Sequence, residues 1–184
     1  GNLDLRETQH DVDFPVAENF AVRLPGRATD SDGYQTNVAP GPLDGDELGG
    51  GSQQSGRLSA VWKVSEHVEN YTILTWDDME MDGRAHVLEA VNPVILARYQ
   101  PGISAALARA QRRDVNEIES DLGQTSEVDV WGIFNTTTAD LGGDLTLKSI
   151  IGYRDLEAYE VVDLDATAIP ELLSSDQTTT PEHG

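Results

Sequence analysis

Residues 140–155 read DLGGDLTLKSIIGYRD, and this stretch decides the fold class. Leu141-Gly142-Gly143-Asp144 is a tight Gly-rich turn, and the strand it launches alternates in character. Leu145, Leu147, Ile151 and Tyr153 fall on one face, with Ser149 between them. Thr146, Lys148, Gly152 and Arg154 fall on the other, with Ile150 as the exception. A period of two marks a strand in a sheet with one apolar and one polar face. The preceding segment, residues 127–138, is of similar length, so the pair predicts one tall hairpin.

Working outward, the same unit recurs. Residues 3–16 predict a first strand, ending in Val12, Phe14 and Val16 set against Asp11 and Asp13. After a break at Ala17-Glu18-Asn19, Phe20, Val22, Leu24, Gly26 and Ala28 alternate with Ala21, Arg23, Arg27 and Thr29. Residues 30–54 are rich in Gly, Pro and Asp and predict a long loop. Strand 56–65 sets Leu58, Ala60, Trp62 and Val64 against Arg57, Ser59, Lys63 and Ser65. Glu66-His67-Val68-Glu69 is a short turn into strand 70–81, and residues 83–124 form a second excursion before the tall hairpin. From Asp155 a third long polar segment follows, ending in a polar tail, Ser174 to Gly184.

Connections therefore alternate short and long. Short turns at one rim and long loops at the other describe an up-and-down antiparallel meander of the kind that builds outer-membrane barrels. The candidate strands run roughly ten residues or more, against ~5–6 in typical globular sheets. The predicted fold class is all-β, with about six long strands and one short helix in a loop. Pro93 and Pro101-Gly102 punctuate the second excursion. The helix is expected at Ile103–Ala110, with Ile103, Leu107 and Ala110 on one side. Arg98, Arg109, Arg112 and Arg113 concentrate basic charge there. They are expected to pair with acidic loops or to meet an anionic ligand or headgroup.

Composition narrows the function classes. A net charge of −21 excludes a phosphate-binding nucleic-acid protein, and the chain has no cysteine for disulfides or zinc. No run of 18 apolar residues exists to form a membrane helix, which leaves membrane strands open. Both ends look cut, so the chain reads as a piece of a longer protein.

Several segments resemble the barrel of TonB-dependent outer-membrane receptors, the active importers of Gram-negative bacteria. Pro15 to Leu24 (PVAENFAVRL) resembles the family's early turn and strand, and Asp32 to Asn37 (DGYQTN) its rim motif. Gly56 to Ser65 (GRLSAVWKVS) resembles the next strand, and Asp144 to Asp155 (DLTLKSIIGYRD) the widespread "l-t-l-k-s-i-t-G-Y-r" strand. The resemblance covers most of residues 1–165 in the expected order. It implies that residues 1–184 are a partial receptor barrel in the cell outer membrane, lacking the plug and the remaining strands of a ~22-stranded transporter. Implied partners are outer-membrane lipid, the plug and through it TonB, and a scarce nutrient such as ferric siderophore or cobalamin at the extracellular loops. Lys63, Lys148, Arg57 and Arg154 are then expected to face the lumen. Leu58, Ala60, Trp62, Leu145, Leu147 and Ile151 are expected to face lipid. Trp62, Tyr71, Trp76, Trp131, Phe134 and Tyr153 are the candidate aromatic girdle. Pro25 in mid-strand departs from the pattern and predicts a bulge or frayed edge.

Enzymatic chemistry finds no foothold. The acidic pairs (Asp30/Asp32, Asp77/Asp78 and Asp163/Asp165 among them) have no partner that singles out an acid from a base. Asp30-Ser31-Asp32-Gly33 starts like a calcium loop but lacks its closing Glu. His10, His67, His86 and His183 are scattered, and no phosphate loop or nucleophile elbow occurs. No catalytic, cofactor or metal residue is assigned, and the chain reads as a non-enzyme. The other reading compatible with the charge is a secreted acidic β-domain, an adhesin or calcium-stabilised module.

Overall fold

The computed structural model describes residues 4–83, 86–94, 98, 102–169 and 174–179. Six long strands follow one another: β1 (Arg6–Ala17), β2 (Phe20–Ser31), β5 (Gly51–Ser65), β6 (Val68–Met81), β8 (Thr125–Gly142) and β9 (Leu145–Asp163). Between them lie the short strands β3 (Gln35–Asn37), β4 (Glu47–Leu48) and β7 (Glu117–Ile118), and the helix α1 (Gly102–Ala110). A last strand, β10 (Ser174–Thr179), pairs antiparallel with β9. The main sheet runs β1-β2-β5-β6-β8-β9-β10, with every neighbour antiparallel. Among the described residues β1 and β10 remain its two edges. The all-β antiparallel meander expected from the alternation is what forms.

Three connections are two-residue turns: Glu18-Asn19, Glu66-His67 and Gly143-Asp144. Gly143 and Asp144 take φ of 63° and 65°, the pair of positive values that a twist-matched hairpin turn needs. Each strand entering such a turn shifts register just before it, at Pro15/Ala17, Lys63/Ser65 and Asp140/Gly142. Bulges there add twist where the chain must reverse. Pro25 causes no bulge. It pairs with Asp11 on one side, whereas the β2–β5 ladder skips Leu24 and Pro25 and resumes at Gly26–Gly56. The missing proline N–H thus leaves a gap on the β5 side alone.

Strand ends differ from the alternation's reach. β5 begins at Gly51, inside the expected loop, and β9 runs on to Asp163 through what reads as a polar segment. Part of the polar tail forms β10, and residues 180–184 lie outside the described residues. So do residues 95–97, which follow Pro93.

Burial is concentrated at the long-loop rim. Ala39, Leu48, Ile103, Ala106, Ile118, Val162 and Ala166 are the buried apolar residues, and all but Val162 belong to the connecting segments. On α1 the buried pair is Ile103 and Ala106, with Leu107 and Ala110 half-buried beside them. β4, β3 and β7 form a second small sheet in which β3 and β7 run parallel. Asn37, 2% exposed, joins its two loops: its Nδ2 donates to Ser120 O at 2.8 Å, and its Oδ1 accepts from Ala39 N and Ser120 N.

Two glycine positions shape the tall sheet. A Cβ on Gly56 would sit 1.1 Å from the Trp76 ring, because that indole lies flat over its cross-strand partner. Phe134 covers Gly152 in the same way on the opposite face. An aromatic ring laid over a strand glycine restores the contact its missing side chain gives up. Gly56→Val should expel Trp76 and cost about 1–3 kcal/mol, as overpacking does. Urea unfolding followed by tryptophan fluorescence would measure this, with Gly123→Ala, whose Cβ meets nothing within 4 Å, as the unperturbed control.

Candidate functional site

Cross-strand pairing sorts the side chains of the tall sheet into rows. One row is His10, Gly26, Gly56, Trp76, Trp131 and Asp155. The next toward the short turns carries Val12, Leu24, Leu58, Leu74, Ile133 and Tyr153. Below it come Phe14, Val22, Ala60, Thr72, Asn135 and Ile151, and then Phe20, Trp62, Asn70, Thr137 and Ser149. Val68, Ala139 and Leu147 lie lower still. From the Trp76–Trp131 pair down to Leu147, this face holds no Asp, Glu, Lys or Arg. Nearly a quarter of the whole chain is charged, so the gap is a strong segregation. Phe14, Trp62, Trp76, Trp131 and Ile151 are among its exposed side chains, with Ile151 68% exposed.

Just beyond the band, toward the long loops, the same face turns acidic. Asp78 pairs with Asp129 and Asp129 with Glu157, while Glu80 pairs with Glu127. Like charges directly opposite one another destabilise a sheet. Asp129→Asn should therefore raise the denaturation midpoint, by an amount that shrinks as salt is added. An unchanged midpoint at low salt would mean that the repulsion is already relieved.

The opposite face carries the sheet's ion pairs. Arg23 donates to Asp11, with Asp13 3.7 Å away, and Arg27 lies 3.2 Å from Glu7. Arg57 donates to Ser59 Oγ at 2.9 Å and to the Tyr71 hydroxyl at 2.8 Å. Arg57 and Arg154 flank a floor of Thr75 and Gly132 in one row, and neither has a carboxylate partner among the described residues. They line a groove of about 550 Å³ together with Arg27 and Asp77. Lys63 and Lys148 share this face by register.

The facing expected for Leu58, Ala60, Trp62, Leu145, Leu147 and Ile151, and for Lys63, Lys148, Arg57 and Arg154, is the one the register gives. Two of the candidate girdle aromatics fall elsewhere. Tyr71 and Phe134 lie on the charged face, one taking a hydrogen bond from Arg57 and the other covering Gly152. Residue spacing carried that information, since each is one position out of phase with its aromatic neighbours.

The loop layer holds a second charged centre. Glu119, 3% exposed, accepts from Arg109 Nε at 2.7 Å and Nη2 at 2.9 Å, and Arg113 Nη2 approaches it to 2.6 Å. Burial alone would push the Glu119 carboxyl up, but the two guanidiniums outweigh it and hold it below its ordinary value. The expected pairing of the loop arginines with acidic neighbours is thus present, in a buried rather than solvated setting. Among the described residues no group of three or more acidic or histidine side chains could hold a metal ion, and Asp30 and Asp32 gather no such set. No protein-family model, curated protein or solved structure matches this chain.

Because the folded-state value of Glu119 is depressed, its stabilisation is present above the unfolded carboxylate value and is lost as pH falls through the folded one. Glu119→Ala strands the buried Arg113 charge and should cost about 3–5 kcal/mol. Amide exchange in residues 102–120 would rise accordingly, while exchange in the tall hairpin stays unchanged.

Proposed function

We propose that this chain is a segment of the barrel wall of a TonB-dependent outer-membrane importer. The observation that carries this reading is the uncharged, solvent-exposed band on one face of a one-layer sheet whose opposite face is charged. From Leu147 to Asp155 the strand rises about 27 Å at ~3.4 Å per residue, or about 20 Å in height at a barrel-like tilt of ~40°. An outer-membrane barrel presents an apolar band of ≈ 25 Å to lipid. A secreted acidic domain gains nothing from leaving such a surface to water.

On this reading the uncharged face meets outer-membrane lipid, and the two-residue turns lie at the periplasmic rim. The loop layer built on β3, β7 and α1 stands outside the cell, where a scarce nutrient such as a ferric siderophore or cobalamin would be captured. Arg57 and Arg154 face the lumen with no carboxylate of their own strands, as suits contact with acidic groups of a plug. Energy would come from TonB through that plug, so the segment has no transport activity by itself.

Reading the gene on both sides of this segment tests the proposal. A plug-encoding region upstream and further alternating strands downstream are expected. Start and stop codons immediately flanking residues 1 and 184 would overturn the importer reading. Single-cysteine labelling of Leu147→Cys should place that position in the lipid-facing fraction, and labelling from the lumen side would overturn the assigned facing.

A further inference from the structure

The uncharged band contains one polar island, and its hydrogen bonding is closed. Asn70 Nδ2 donates to Asn135 Oδ1 at 3.2 Å and to Thr137 Oγ1 at 2.8 Å. Asn135 Nδ2 donates to Asn70 Oδ1 at 3.1 Å and to Thr72 Oγ1 at 2.8 Å. Thr72 Oγ1 donates to Asn70 Oδ1 at 3.0 Å, and Thr137 Oγ1 to Asn135 Oδ1 at 3.2 Å. An amide has two N–H donors and a hydroxyl one, so every side-chain donor of the four residues is used inside the quartet. On a wet surface water would serve these groups and nothing would select such closure. In hydrocarbon each unserved group costs several kcal/mol, and internal satisfaction becomes a requirement.

We infer that the outward surface of β6 and β8 at the level of Asn70 and Asn135 contacts lipid acyl chains, and that the closed quartet is what makes two amides tolerable there. This rests on the barrel-wall reading and extends it by setting the depth of immersion. The hydrocarbon boundary falls on the short-turn side of the quartet, at or below the row of Trp62, and the acyl chains reach from there to the Trp76–Trp131 pair. The neighbours fit: Trp62 pairs directly with Asn70, and Ala60 with Thr72. No charged side chain shares these rows. The quartet also ties β6 to β8 where neither strand offers an apolar pair to hold register, since Asn70 faces Thr137 and Thr72 faces Asn135.

The absence of native cysteine permits a direct test. The full chain is reconstituted in phosphatidylcholine vesicles with a spin label at Ala60→Cys or at Leu74→Cys, higher on the same face. Both labels should relax more with oxygen than with a water-soluble nickel complex. Nickel access at position 60 with oxygen access at position 74 would overturn the inference and leave the barrel-wall reading standing. Nickel access at both positions would overturn the two together. A second measurement uses the pair itself: Asn135→Ala alone should lower the urea midpoint more than the double variant Asn70→Ala/Asn135→Ala, because the single change leaves Asn70 with unserved donors in a dry medium. Equal or additive effects would show that water reaches the site, and the inference would fall.

Discussion

A sheet of one layer cannot bury either of its own faces, and the rest of this structure answers to that constraint. Six tall strands pair edge to edge and satisfy their backbones, yet most of their side chains remain exposed. In a sandwich a second sheet would cover one face. Here each face is prepared for a different surrounding medium. One is uncharged over several consecutive rows and the other holds Arg23, Arg27, Arg57 and Arg154. The apparent surplus of exposed apolar area is the consequence of building a wall rather than a globule.

Local devices keep that wall regular. Trp76 over Gly56 and Phe134 over Gly152 fill positions where a glycine would otherwise leave a hole. Bulges at the ends of β1, β5 and β8 supply twist beside each two-residue turn. At the opposite rim the chain builds what the sheet lacks, a true interior. Asn37 and Glu119 order that layer by polar means: one closes backbone groups of two loops, and the other holds two arginines in place.

Much of the tall sheet was legible in the sequence because its signal is local. Alternation over residues 144–155 and 56–65, with Gly143-Asp144 at a turn, needs only the two-residue period of a strand. The facing of Lys148 and Leu147 follows from the same parity. Other features escaped for physical reasons. β3, β4 and β7 are two or three residues long, too short to show a period, and they sit in Gly/Pro/Asp-rich sequence that reads as loop. β9 extends to Asp163 because β8 and β10 offer it partners there, despite its acidic composition. Ala106 is buried although Ala carries little hydrophobic signal.

By itself the sequence determined the all-β class, the strand order, the short turns and the side each alternating residue takes, since these depend on neighbours along the chain. Only the tertiary structure decided which rows align across strands. That alignment removed charge from a continuous band, set Asp129 between Asp78 and Glu157, and closed Asn70, Thr72, Asn135 and Thr137 on one another. Registers between strands more than sixty residues apart are fixed by pairing energies summed along whole ladders, and no local period encodes them.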